Sequence, residues 1–102
     1  MTNETLKNYL NYLIIKGYNE ETSHTRTGQV KEFLDFIKLS FEQINEEHIN
    51  QYYYYLKQRP NKKYKEKIIS INTVIHHISA LELYLEMLYD TGKLKEPLQI
   101  NI

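Results

Sequence analysis

Residues 71–90 read Ile-Asn-Thr-Val-Ile-His-His-Ile-Ser-Ala-Leu-Glu-Leu-Tyr-Leu-Glu-Met-Leu-Tyr-Asp. Ile71, Val74/Ile75, Ile78, Leu81, Leu85 and Leu88 recur at helical spacing, which predicts one long amphipathic helix. At about 1.5 Å per residue it spans roughly 28 Å, the width of a small domain. Asn72 or Thr73 can cap its start, and Gly92 stands where a helix-ending glycine is expected. The two halves differ outside the apolar stripe. The first carries Asn72, Thr73, His76, His77 and Ser79 and no acid. The second carries Glu82, Glu86 and Asp90 beside Leu83, Tyr84 and Met87. A helix with such unlike ends is expected to do two jobs, and the acid-free end is the one suited to DNA.

The segment just upstream strengthens that reading. Lys57, Arg59, Lys62, Lys63, Lys65 and Lys67 crowd into residues 57–67, and between His48 and Leu81 the single acid is Glu66. The chain as a whole is neutral, with 13 Lys and Arg against 13 Asp and Glu. Its charges are segregated, with acids at Glu20 and Glu21, at residues 42–47 and at residues 82–90. Segregation makes a basic face on a neutral molecule. The plain alternative for the lysines is a solvated loop.

The length of 102 residues sets one domain with one modest core. No cysteine is present, which excludes disulfides and thiolate metal sites. No apolar run approaches the ~20 residues that span a membrane, and no signal pattern opens the chain, so a cytoplasmic location is expected. Three glycines and two prolines are too few for a turn-rich β-sandwich, so helices are expected. Leu6, Tyr9/Leu10 and Leu13/Ile14 predict a helix over residues 2–16, ended by Gly17. Asn19 caps a second, over residues 20–38, and Asn45 a third, over residues 46–58. Four consecutive tyrosines, Tyr52 to Tyr55, point in four directions on that third helix. One or two are expected in the core and the others at its rim.

The second helix is unusual. Thr22-Ser23-His24-Thr25-Arg26-Thr27-Gly28-Gln29 contains no large apolar residue over two turns, and the core pattern starts only at Val30. Such a segment is either a solvated helix end or a surface that hydrogen-bonds phosphates and base edges. Catalytic signatures are missing. There is no HExxH pair, Gly-rich phosphate loop or nucleophilic serine motif, and adjacent His76 and His77 diverge by about 100° on a helix. No enzyme activity, metal or cofactor is expected within this chain.

In order, length and spacing, these segments resemble the N-terminal core-binding (SAM-like) domain of tyrosine recombinases, the phage integrase family. The resemblance runs from Leu6 to Pro97. It is carried by Lys16-Gly17-Tyr18, by Asn19-Glu20-Glu21-Thr22 and by the run Val30-Lys31-Glu32-Phe33-Leu34-Asp35-Phe36-Ile37. It continues in residues 44–52 and in Glu96-Pro97. Most distinctive is Asn72-Thr73-Val74-Ile75-His76-His77-Ile78-Ser79-Ala80-Leu81, where the family commonly has a hydroxyl residue, a basic pair, then an aliphatic-Ser-Ala-Leu sequence. This chain departs from the pattern by placing His76-His77 at the basic pair. It also has Arg26-Thr27-Gly28-Gln29 where the family often has Tyr followed by basic residues.

The resemblance implies an all-α fold, a compact orthogonal bundle of four helices. It implies residues 1–95 as a core-binding, DNA-binding domain and residues 96–102 as the start of a linker toward a catalytic domain. The function implied is DNA binding in site-specific integration and recombination, one arm of a clamp whose second and fourth helices face the major groove. Expected partners are double-stranded DNA, the catalytic domain and other protomers of the parent recombinase, with the isolated domain monomeric. Lys62, Lys63, Lys65 and Lys67 are expected on phosphates. Thr25, Arg26 and Gln29 from the second helix and Thr73, His76 and His77 from the fourth are the candidate DNA-facing residues. A phosphate beside either histidine would favour imidazolium, so binding is expected to weaken above about pH 6.5. The competing class is a small helical protein–protein interaction module, which would account for exposed tyrosines and zero net charge. It would not account for the missing acids.

Overall fold

In the computed structural model, which describes residues 4–61, 67–98 and 100, four α-helices follow one another. They are α1 (Glu4–Ile15), α2 (Glu20–Ile37), α3 (Glu46–Gln58) and α4 (Ile71–Asp90). A single 3-10 turn, Phe41–Gln43, joins α2 to α3. Among the described residues there are no strands, and no helix is long and apolar enough to cross a membrane.

The helix boundaries follow local chemistry. The Asn19 side chain accepts the Thr22 N–H at 2.7 Å and starts α2. Asn45 and His48 cap each other reciprocally at the start of α3, each side chain accepting the other's backbone N–H at 3.1 Å. Such caps satisfy donors that the first turn leaves without partners. The cap of α4 is Ser70, two or three residues before the expected Asn72 or Thr73. Its hydroxyl accepts the Thr73 N–H at 3.2 Å. Gly17 and Gly92 have φ of 104° and 76°, left-handed values that an L side chain resists, and they turn the chain out of α1 and α4.

α4 is the axis of the bundle, touching α1, α2 and α3. Three neighbours demand a buried arc broader than one stripe. Val74, Ile78, Leu81, Leu85 and Leu88 are buried as expected, but so are His77, Ala80, Tyr84 and Met87. Ile71 and Ile75, expected within the stripe, are 60% and 54% exposed.

Tyrosines tie the helices together. Tyr9 of α1 is wholly buried, donates to the Ala80 carbonyl at 2.7 Å, and meets Tyr84 edge-on at 5.6 Å between ring centroids. Tyr84 in turn donates to Thr5 Oγ1 at 2.8 Å. Tyr52 alone of its run is fully buried, against Phe33. Tyr53 is half-buried, and Tyr54 and Tyr55 are exposed. Acidic residues in the second half of α4 turn back onto α1. Lys16 reaches Glu86 at 3.1 Å, and Tyr12 donates to Asp90 at 3.2 Å.

Burial pushes the phenols of Tyr9, Tyr52 and Tyr84 above their ordinary value. For Tyr9 it outweighs the opposing charge of Arg26, for Tyr52 Glu32 adds to it, and for Tyr84 it outweighs the Thr5 hydrogen bond. The unfolded chain therefore ionises first. Stability from these three groups is intact below the unfolded phenol value of about 10 and falls as pH rises beyond it. The slope approaches about 1.4 kcal/mol per pH unit for each group. Cooperative alkaline unfolding is expected, with tyrosinate absorbance rising as helical circular dichroism is lost. Gradual ionisation of every tyrosine with helices intact would count against it.

The connection from α3 to α4 is tied at its neck. Ile69 N–H donates to the Arg59 carbonyl at 3.0 Å and Asn61 N–H to the Lys67 carbonyl at 2.6 Å, around an antiparallel bridge between Pro60 and Ile68. The Arg59 side chain is buried and grips Glu32 of α2, Nε to Oε2 at 2.6 Å and Nη2 to Oε1 at 2.9 Å. Past Gly92, Leu94, Leu98 and Ile100 lie half-buried against the core.

Candidate nucleic-acid interface

The polar first half of α2 is helical because its hydroxyls fold back on the helix itself. Ser23 Oγ donates to the Asn19 carbonyl and Thr27 Oγ1 to the Ser23 carbonyl, each at 2.8 Å. Ser23 is fully buried, so a small side chain takes the inward position where a large apolar one would ordinarily stand. The outward positions are left to Thr25, Arg26 and Gln29.

Those three side chains meet His76 of α4. Together with Glu21 and Thr22 they line one depression between α2 and α4. Arg26 is half-buried in this lining, its guanidinium 5.5 Å from the centre of the Tyr18 ring. That cation–π contact holds the charge in place without neutralising it. Nε and Nη1 of Arg26 are buried and have no acceptor among the described residues, and Gln29 Oε1 is likewise buried without a donor. A buried donor without an acceptor costs about 1–3 kcal/mol, and more when charged. Glu21 is the single carboxylate in the lining, beside the N-terminus of α2. The lining thus joins the Arg26 guanidinium to the polar side chains of Thr25, Gln29 and His76.

The remaining expected residues are distributed differently. Thr73 stands at the start of α4 with its hydroxyl 3.0 Å from that of Ser70, inside the helix cap. His77 turns into the core, its Nδ1 3.3 Å from the Tyr52 hydroxyl. It does not share the His76 surface, because two adjacent helical residues cannot face the same way. Lys67 is exposed at the neck before α4. Lys62, Lys63 and Lys65 lie outside the described residues.

Tyr18 was not legible as a member of this site. It reaches Arg26 across the turn between α1 and α2, and no helical spacing relates the two. Glu21 and Thr22 had a signal, because they sit three to five residues before Thr25 and Arg26 on the same helix.

Residues 5–93 match the family model described as phage integrase, N-terminal SAM-like domain. This agrees with the resemblance carried by residues 72–81 and by the order of the four helices. No curated protein and no solved structure matches the chain.

Proposed function

Since the chain belongs to the phage integrase N-terminal SAM-like domain family, we propose that it is the DNA-binding arm of a site-specific tyrosine recombinase. The matched region is the N-terminal part of integrases and not their catalytic domain. Strand cleavage in DNA integration and recombination would then belong to another domain of the parent protein, reached through residues 96–102. Duplex DNA, that catalytic domain and other protomers are its partners.

One observation carries the DNA reading: α2 and α4 bring Thr25, Arg26, Gln29 and His76 around one depression whose lining, among the described residues, holds a single carboxylate, Glu21. The positive charge of Arg26 attracts a DNA phosphate to this depression. Thr25, exposed on α2, then stands beside the backbone within reach of base edges, with Gln29 next to it in the lining. Lys67, with Lys62, Lys63 and Lys65, adds phosphate contacts that give affinity without sequence information. Thr73 contributes through the cap that orients the first turn of α4. Of the two histidines only His76 lines the depression, since His77 is held by Tyr52.

The test is a titration with duplex DNA at about 50 and 200 mM salt, following backbone amide shifts and affinity. Shifts are expected at residues 22–31 and 67–80, with strong salt dependence. Arg26→Ala should weaken binding about tenfold and flatten the salt slope by about one. No shifts at low salt, or shifts confined to residues 82–90, would overturn the proposal.

A further inference from the structure

Two exposed isoleucines stand in the acid-free half of α4. Ile71 and Ile75 lie one turn apart and are both more than half exposed. Helical spacing puts them on the same outward arc as Asn72, His76 and Ser79, of which Asn72 and His76 are exposed and Ser79 half-buried. No charged residue lies on that arc before Glu82. Lys67 precedes the arc, and the depression holding Arg26, Gln29 and His76 adjoins it through His76.

An apolar protein partner fits this face poorly. A stable protein interface buries about 800 Å² per partner, which two isoleucines flanked by polar side chains do not approach. The major groove of DNA fits better. It presents one isolated apolar group per A·T pair, the thymine C5-methyl, next to the adenine N6 and N7 that an asparagine amide pairs with. The basic Lys67 and an arc with no charged residue before Glu82 match a polyanion. We propose that this face of α4 selects A·T base pairs, with Ile71 and Ile75 against thymine methyl groups and Asn72 against adenine. The inference rests on the DNA-binding reading above and adds the chemistry that gives it sequence preference.

Three short duplexes test it with the full chain: alternating d(AT), alternating d(AU), which differs only in lacking the methyl, and alternating d(GC). The wild-type chain should bind d(AT) about fourfold tighter than d(AU) for each methyl contacted. Ile75→Ala, at an exposed position, should bring that ratio toward one while leaving the affinity for d(AU) unchanged, and Ile71→Ala serves as the second variant. Asn72→Ala should lower affinity for d(AT) and d(AU) together relative to d(GC). Equal wild-type affinity for d(AT) and d(AU) would overturn the methyl reading and leave DNA binding standing. Equal weakening of all three duplexes by Ile75→Ala would also overturn it, because the side chain would then be a general contact. No binding to any duplex at about 50 mM salt would remove both this inference and the function on which it rests.

Discussion

Tyr9→Ala should remove about 4 kcal/mol of stability, within the range for truncating a large buried aromatic residue. Small domains hold only ~5–15 kcal/mol in total, so the variant should unfold at a much lower urea concentration. Three losses combine. The ring is wholly buried, so its removal leaves a cavity between α1 and α4. The edge-on contact with Tyr84 at 5.6 Å disappears. The hydrogen bond to Ala80, which joins residues 71 apart in sequence, is also lost. Tyr9→Phe separates these effects. It keeps the ring and deletes only the hydroxyl, and the Ala80 carbonyl retains its helical partner, so about 1 kcal/mol is expected. A loss below that value for the alanine variant in urea melts would show that α1 does not anchor on α4 through this residue.

The second large effect is at Arg59 and Glu32. Their side chains are only 9% and 18% exposed and meet through two short contacts. Glu32→Ala should cost about 3 kcal/mol, because a guanidinium would remain buried without its carboxylate. The double variant Glu32→Leu/Arg59→Met should recover most of that loss, since a buried pair replaced by apolar side chains is often neutral or better. Chemical melts of the two variants decide the matter. A double variant as unstable as the single one would mean that the pair holds α3 against α2 by its charges and not by filling space.

Most of the fold was legible in the sequence. Long amphipathic periodicity placed four helices, and Asn19, Asn45, Gly17 and Gly92 marked ends that the structure keeps. The misplacements have local causes. Ser70, Asn72 and Thr73 are all good caps, and only Ser70 precedes the first helical residue. Ile71 and Ile75 share the period of the buried stripe, yet the neighbours of α4 centre its buried arc elsewhere, nearer to His77, Leu81 and Tyr84. Periodicity finds a stripe but does not reveal which edge a third helix covers. The same limit hid the inward turn of His77. Adjacency guaranteed that the two histidines diverge, while the choice between them depended on Tyr52, a residue 25 positions away. The α2 half of the site was readable because polar residues replaced a core pattern, whereas the Tyr18–Arg26 contact crosses a turn.

The tied neck between α3 and α4 has a consequence for how such a chain can diverge. Arg59 pairs with Ile69 and Asn61 with Lys67 through backbone groups, which tie down the start of α4. Doubling the length of the intervening segment adds only about 0.6 kcal/mol of closure entropy. Insertions there, and gain or loss of lysines, should be nearly neutral for folding. The attraction of the domain for a polyanion can thus drift up or down over generations while the bundle that aims α2 and α4 stays the same.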